Sequence, residues 1–110
     1  MLKLPEFPPG WHCYLLLRVD ASYYCGITSN LTNRIRDHAS GKGSGYTKSV
    51  KPLAFVWYEP HVDLQSAAGR ERQIKAWSSQ KKRRLANGDS PIAQMGTRVR
   101  ISLGSSTASG

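Results

Sequence analysis

Two tyrosines ten residues apart, Tyr14 and Tyr24, lie in apolar stretches that read as neighbouring strands. A strand tyrosine ordinarily packs as a core aromatic with a hydrogen-bonded tip, yet its phenol can also exchange a proton with a reacting group. Arg34 and His38 are four residues apart and therefore share one helix face. Such a pair is ordinarily plain surface, but a guanidinium also reads phosphate oxygens bidentately and stabilises developing negative charge. The fifth group is Glu71. Read at helical spacing, Leu64, Ala67, Ala68, Glu71 and Ile74 form one stripe, which sets a carboxylate on or beside a face that should be buried. Burying it unpaired is costly, so three readings stand: an ion pair such as one with Arg34, a position at the stripe's rim, or a ligand for Mg²⁺ or Mn²⁺, which take carboxylate oxygen and water. The chain offers no histidine dyad, serine triad or paired-carboxylate site. Any hydrolysis would rest on tyrosine, arginine and one carboxylate with a metal.

Charge points to a polyanion. Sixteen Lys and Arg oppose seven Asp and Glu in 110 residues, a net +9. The excess is clustered: Arg70, Arg72, Lys75, Lys81, Lys82, Arg83 and Arg84 face only Glu71 between residues 70 and 84. Such clustering is the footprint of a nucleic-acid partner, the plainer reading being a solvated helix face. Cysteine usage excludes a structural zinc: Cys13 and Cys25 form no C-x-x-C pair, and the scattered His12, His38 and His61 cannot complete a site. Both cysteines sit among apolar residues and read as buried, reduced, inert thiols. No apolar run approaches the ~18–20 residues of a membrane helix, and residues 1–10 lack the apolar core of a secretory leader. A cytoplasmic protein with no membrane partner is expected.

The elements that must position these groups follow from periodicity. Residues 1–10 form a Pro-rich extended arm and 11–95 the folded domain. Trp11–Val19 is apolar on both faces, as a buried central strand is. Asp20–Ser22 turns the chain into a second strand, 23–28. Ser29 or Asn30 caps a helix to about Ala39, with Leu31, Ile35 and Ala39 inside. Gly41–Pro52 reads as a mobile loop, 53–58 as a third strand closed by Glu59-Pro60, 64–77 as a second helix and 80–86 as a short basic helix. From Gly96 onward Ser, Thr and Gly dominate, and 96–110 is expected to be a disordered tail. The fold class is α+β: a three-stranded sheet flanked by helices in the order β-β-α-β-α-α.

His12-Cys13-Tyr14-Leu15-Leu16 followed by Tyr24-Cys25-Gly26-Ile27-Thr28 resembles the paired motifs of the GIY-YIG nuclease superfamily. The resemblance continues through Asn30–Arg34, His38, Gly41–Thr47, Pro52, Val56–Glu59, Ala67-Ala68, Arg70-Glu71, Gln73–Trp77 and Lys81-Lys82, covering about Trp11 to Gly88. In detail it is similar to the small, stand-alone bacterial members of uncharacterised function. His12 and Cys13 stand where the first motif has glycine and isoleucine.

The resemblance implies a metal-dependent endonuclease that hydrolyses DNA phosphodiesters in repair, recombination or processing. It places phosphate contact on Arg34 and the single divalent ion, Mg²⁺ or Mn²⁺, on Glu71. The motif tyrosines fall on Tyr14 and Tyr24, one of them the general base, Tyr14 being preferred. His38 and Tyr46 match positions that line the site. Lys48, Arg70, Lys75, Lys81, Lys82, Arg83 and Arg84 are the expected nucleic-acid contacts. The substrate would be DNA, branched or single-stranded forms included, with a protein partner supplying specificity that so small a chain lacks. The alternative is a non-catalytic, basic nucleic-acid-binding module. Glu71 separates the two, because a pure binder gains nothing from a carboxylate inside a basic helix.

Overall fold

The apolar run Trp11–Arg18 forms β1, buried continuously from His12 to Leu16 in a computed structural model that describes residues 3–40, 50–89 and 96–103. Burial on both faces requires partners on both edges. β2 (Tyr23–Thr28) pairs antiparallel on one side and β3 (Pro52–His61) on the other. Between β1 and β2 the Asp20 carboxylate accepts from the Ser22 N–H at 2.9 Å. That bond holds Ala21 in the left-handed region, at φ 71°, a conformation that costs a residue with a Cβ about 1–2 kcal/mol. β3 runs past the expected close at Glu59-Pro60, because both residues stay in the ladder opposite Cys13 and His12.

Among the described residues the sheet has four strands, not three, in the order β2-β1-β3-β4. β4 (Thr97–Ser102) pairs antiparallel with β3 and falls inside the segment read as a disordered tail. Its pattern explains it: Val99, Ile101 and Leu103 alternate inward while Arg98, Arg100 and Ser102 are exposed, a period of two. The glycine- and serine-rich flanks hide those few residues in any average over composition. The expectations for most of the Gly41–Pro52 loop and for the end of the tail lie outside the described residues. The element order is thus β-β-α-β-α-α-β, and the α+β class stands.

Each helix begins on a side-chain cap. Asn30, Asp63 and Ser78 accept from the N–H groups of Asn33, Ser66 and Lys81 and open α1 (Leu31–Ala39), α2 (Leu64–Lys75) and α3 (Ser79–Ala86). α3 stops at Gly88, whose φ is 78°, with the Gly88 N–H on the Leu85 carbonyl and the Asp89 N–H on that of Arg84.

The helices divide between the two faces of the sheet, and so do alternate residues of β1. Tyr14 and Leu16 meet Phe55, Ile101 and the Leu31 and Ile35 stripe of α1. Cys13 and Leu15 meet Cys25, Val56, Trp57, Ile74 of α2 and Leu85 of α3. The N-terminal arm closes the α1 layer through Phe7, whose ring lies edge-on to Tyr58 at 5.1 Å. Among the described residues, no helix is long and apolar enough to cross a membrane.

Candidate active site

Register sets the site. Tyr14 faces Gly26 across the β1–β2 ladder, and its ring lies over the glycine: a Cβ at position 26 would sit 2.6 Å from the Tyr14 hydroxyl oxygen and 2.7 Å from Cζ. Glycine is therefore what lets the phenol reach across β2, the edge strand. There Tyr14 Oη meets Nε2 of His38, in the last turn of α1, at 3.0 Å. Tyr24 completes the cluster, its ring centroid 6.2 Å from that of Tyr14 and 5.9 Å from that of His38. Phe55 backs Tyr14 at 5.9 Å.

The electrostatics of this cluster are those of a buried neutral pair. Tyr14 and His38 are each 2% exposed. Burial pushes the Tyr14 phenol well above its ordinary range, Tyr24 adds to this, and Arg34 opposes it. Burial, then the Arg34 charge, pull His38 down to about 4, with Asp37 opposing weakly. At neutral pH the phenol is protonated and the imidazole uncharged, so one proton serves the Tyr14–His38 bond. Nδ1 of His38 is buried and has no partner among the described residues. Arg34, one turn earlier on α1, is half-buried, and its charge acts on both members of the pair. Four of the sequence-predicted groups, Tyr14, Tyr24, Arg34 and His38, thus come together at one edge of the sheet.

Glu71 belongs to the other layer. It stands on α2, half-buried, with its Oε2 3.3 Å from Lys75 Nζ. The ion-pair reading with Arg34 is replaced by this i,i+4 pair. Burial acts to lower the Lys75 ammonium, but Glu71 outweighs it and raises it, and Tyr24 and Cys25 add in the same direction. The Glu71–Lys75 turn therefore lies alongside β2, the strand that carries Tyr24. The buried phase of α2 differs from the expected stripe by one position: Ala67, Arg70 and Ile74 are inside, and Leu64 is 46% exposed.

Arg70 is consequently not a surface phosphate contact. It is 7% exposed, and its Nε donates to Glu59 Oε1 at 3.0 Å. Its guanidinium lies between the rings of Trp57 and Trp77, 5.8 and 5.4 Å from their centroids. Glu59 also pairs with His61 Nε2 at 2.8 Å, and His61 Nδ1 reaches Ser66 Oγ at 2.7 Å. Sequence reading missed this network, although Arg70 shares the helical phase of Ala67 and Ile74. Two of the other basic residues are also engaged. Lys81 Nζ sits 4.3 Å over the Trp77 ring, and Arg84 pairs with Asp89 at 3.6 Å. Lys82 and Arg83 enter none of the ion pairs among the described residues. Tyr46 and Lys48 lie outside the described residues.

Comparison with known proteins decides the family, because residues 10–84 match the GIY-YIG catalytic domain. The chain belongs to the GIY-YIG family. The family is one of nucleases, and Tyr14 and Tyr24 both lie within the matched residues. The chain is 36% identical over 96 residues to a UPF0213 protein of Vibrio cholerae, covering 86% of this chain and 95% of that one. It is 40% identical over 78 residues to a UPF0213 protein of Desulfotalea psychrophila, covering 70% and 71%. A UPF0213 protein of Neisseria meningitidis is 35% identical over 76 residues, covering 69% and 84%. These names state no activity. No solved structure matches the chain. Gly26 lies within the matched residues, and its contact with Tyr14 ties β1 to β2. His12 and Cys13, in place of the first motif's glycine and isoleucine, are both buried; Cys13 Sγ lies 3.5 Å from Cys25 Sγ, on the face away from the tyrosines.

GIY-YIG nucleases generally use a divalent metal, and the donor set here bears on how one could be held. Among the described residues no group of three or more His, Cys, Asp or Glu side chains is placed to hold an ion. A lone half-buried carboxylate fits Mg²⁺, which keeps several waters and is often held by one or two carboxylates plus substrate phosphate.

Proposed function

We propose that this protein is a metal-dependent endonuclease that hydrolyses DNA phosphodiester bonds. The observation that carries the reading is the 3.0 Å bond between Tyr14 and His38, flanked by Tyr24 and Arg34. A phenol held above its ordinary range is a poor base by itself, because its own proton must leave first. His38 supplies the acceptor. As a water attacks phosphorus and the bond from phosphorus to the departing sugar oxygen breaks, the water's proton passes to Tyr14 Oη while the Tyr14 proton passes to His38 Nε2, and the departing oxygen takes a proton from solvent. The pair thus takes up one proton without a charged phenolate standing in an apolar site. Arg34 meets the non-bridging phosphate oxygens and offsets the charge that grows on them. Tyr24 hems the phenol and bounds the space open to the water. Glu71 would hold a Mg²⁺ or Mn²⁺ ion, which when bound supplies further neutralisation of phosphate charge. Lys82 and Arg83 extend the contact along the DNA backbone, and a protein partner would select the substrate in repair or another processing step.

A second reading is binding without hydrolysis. It is favoured by the Glu71–Lys75 pair, which satisfies the carboxylate without a metal. Incubating the protein with flap, branched, single-stranded and duplex DNA in Mg²⁺, Mn²⁺ or EDTA separates the two. Metal-dependent cleavage that disappears in Glu71→Gln supports hydrolysis; binding with no cleavage of any substrate supports the second reading.

A further inference from the structure

A cleft of about 570 Å³ opens between the tip of the β1–β2 hairpin and α3. Leu17 and Tyr23, in its wall, pack with the α2–α3 layer, so it is separate from the Tyr14 cluster on the opposite face. Leu53 and Val19 continue the apolar wall, and Val19 is left 58% exposed. Apart from Ala21 at the hairpin turn, the remaining lining is cationic or polar, with Arg18 from the hairpin, Arg83 from α3, and Ser79 and Gln80 in the first turn of α3. That first turn brings the positive end of the helix dipole to the same space. An adjoining cavity of about 390 Å³ shares Leu17, Tyr23 and Asn87 and adds Arg98 and Arg100. Among the described residues, no carboxylate lines either one.

A ligand suited to this lining has a flat apolar body, a negative group beside it and a volume of a few hundred Å³. A nucleotide has all three. In a duplex the base is stacked and paired, so only an unpaired nucleotide can turn its base into a protein wall. We infer that the cleft receives an unpaired nucleotide of a DNA strand, with its base against Val19, Tyr23 and Leu53 and its phosphate toward Arg83. This rests on the reading of the protein as one that acts on DNA, and it makes strands with single-stranded extensions or branch points the preferred partners.

The test is fluorescence anisotropy of the full chain in EDTA, where no strand is cut. It compares a blunt duplex with the same duplex carrying a short single-stranded extension. The extended DNA should bind about tenfold tighter, the scale of one stacked base. A 2-aminopurine placed in the extension should change its emission on binding. Val19→Glu should remove most of that preference and the 2-aminopurine change, whereas Val62→Glu, the same charge change at a site 88% exposed and outside the cleft lining, should keep both. Equal affinity for the two DNAs, or equal effects of Val19→Glu and Val62→Glu, would overturn the inference. A protein that prefers extended DNA but cuts nothing keeps this inference and loses the hydrolytic reading; one that cuts without the preference does the reverse.

Discussion

Replacing Gly26 with alanine tests the site at its narrowest point. The added methyl would start 2.6 Å from Tyr14 Oη and 2.7 Å from Cζ, whereas non-bonded heavy atoms rest at about 3.5 Å. The ring must therefore move by roughly 0.8–0.9 Å. It has little room, because Phe55, Tyr24 and His38 surround it with centroids 5.8 to 6.2 Å away. Displacing the hydroxyl that far stretches the 3.0 Å bond to His38 past the ~3.5 Å at which it ceases to be one. Overpacking costs about 1–3 kcal/mol and the lost buried bond about 1 more. The sum, about 2–4 kcal/mol, corresponds to a fall in Tm of roughly 10–20 °C for a domain this size. Gly69→Ala provides the opposite sign in the same chain: it lies within α2, a Cβ there meets nothing within 4 Å, and alanine should stabilise by about 0.5–1 kcal/mol. Urea unfolding of both variants, with a cleavage assay on Gly26→Ala, reads the effect. A second measurement isolates the contact: adding Tyr14→Leu removes the atoms the methyl meets, so in a double-mutant cycle the two changes should couple strongly. If Gly26→Ala melts with the wild type and the cycle is additive, the Tyr14 ring does not lie over this glycine and the geometry of the cluster is wrong.

Glu71→Gln should retain the fold and most DNA affinity but lose at least ~10²–10³ in cleavage rate; undiminished Mg²⁺-dependent cleavage by this variant would remove Glu71 from the site. Tyr14→Phe keeps the ring and its packing, so its Tm should shift by only a few degrees while turnover falls strongly; an unchanged rate would make Tyr14 a core aromatic and nothing more. His38, held at about 4 in the folded chain, takes up a proton near pH 6.5 once unfolded. Between those values the unfolded state binds the extra proton, so stability should fall as pH drops from about 6.5 to 4, by roughly 2–3 kcal/mol. His12, also lowered, first of all by burial, acts in the same direction. Unfolding curves at pH 7.5 and 4.5 should show His38→Gln losing less than the wild type, and equal losses would refute the buried neutral imidazole. Finally, neutralising Lys82 and Arg83 should lower the slope of log K against log salt by about 1–2 on DNA with a single-stranded extension; neutralising Lys81 and Arg84, already engaged by Trp77 and Asp89, should change it less, and a reversed order would discard this division.

Much of the site was legible because its signals are local. The largely apolar run Trp11–Val19 marks a central strand, and the spacing from Arg34 to His38 gives one helix face. What the sequence does not carry locally is which helix covers which face, and so how Glu71 on α2 stands to Tyr14 on the far side of β1. The phase of α2 was misjudged for a related reason. Leu64 is apolar and looked like an anchor, yet it is half exposed. Arg70 looked like surface, yet it is buried because Glu59, eleven residues earlier on a strand, offers it a carboxylate. β4 was written in plain alternation, but over too few residues to stand out from the serine and glycine around it.

The Glu59–Arg70 contact also sets how α2 can move. Turning the helix by one residue would withdraw the guanidinium from Glu59 and from the two indoles, leaving the buried carboxylate with His61 as its remaining partner, a loss worth several kcal/mol. The lost ion pair and ring contacts favour one angular seat for the helix, like a shaft held by a detent. Thermal motion on the scale of Glu71 is then confined to rotamers of its own side chain. Larger excursions must lift the helix off the sheet in a single step, and its amide protons should exchange with those of β3 as one unit.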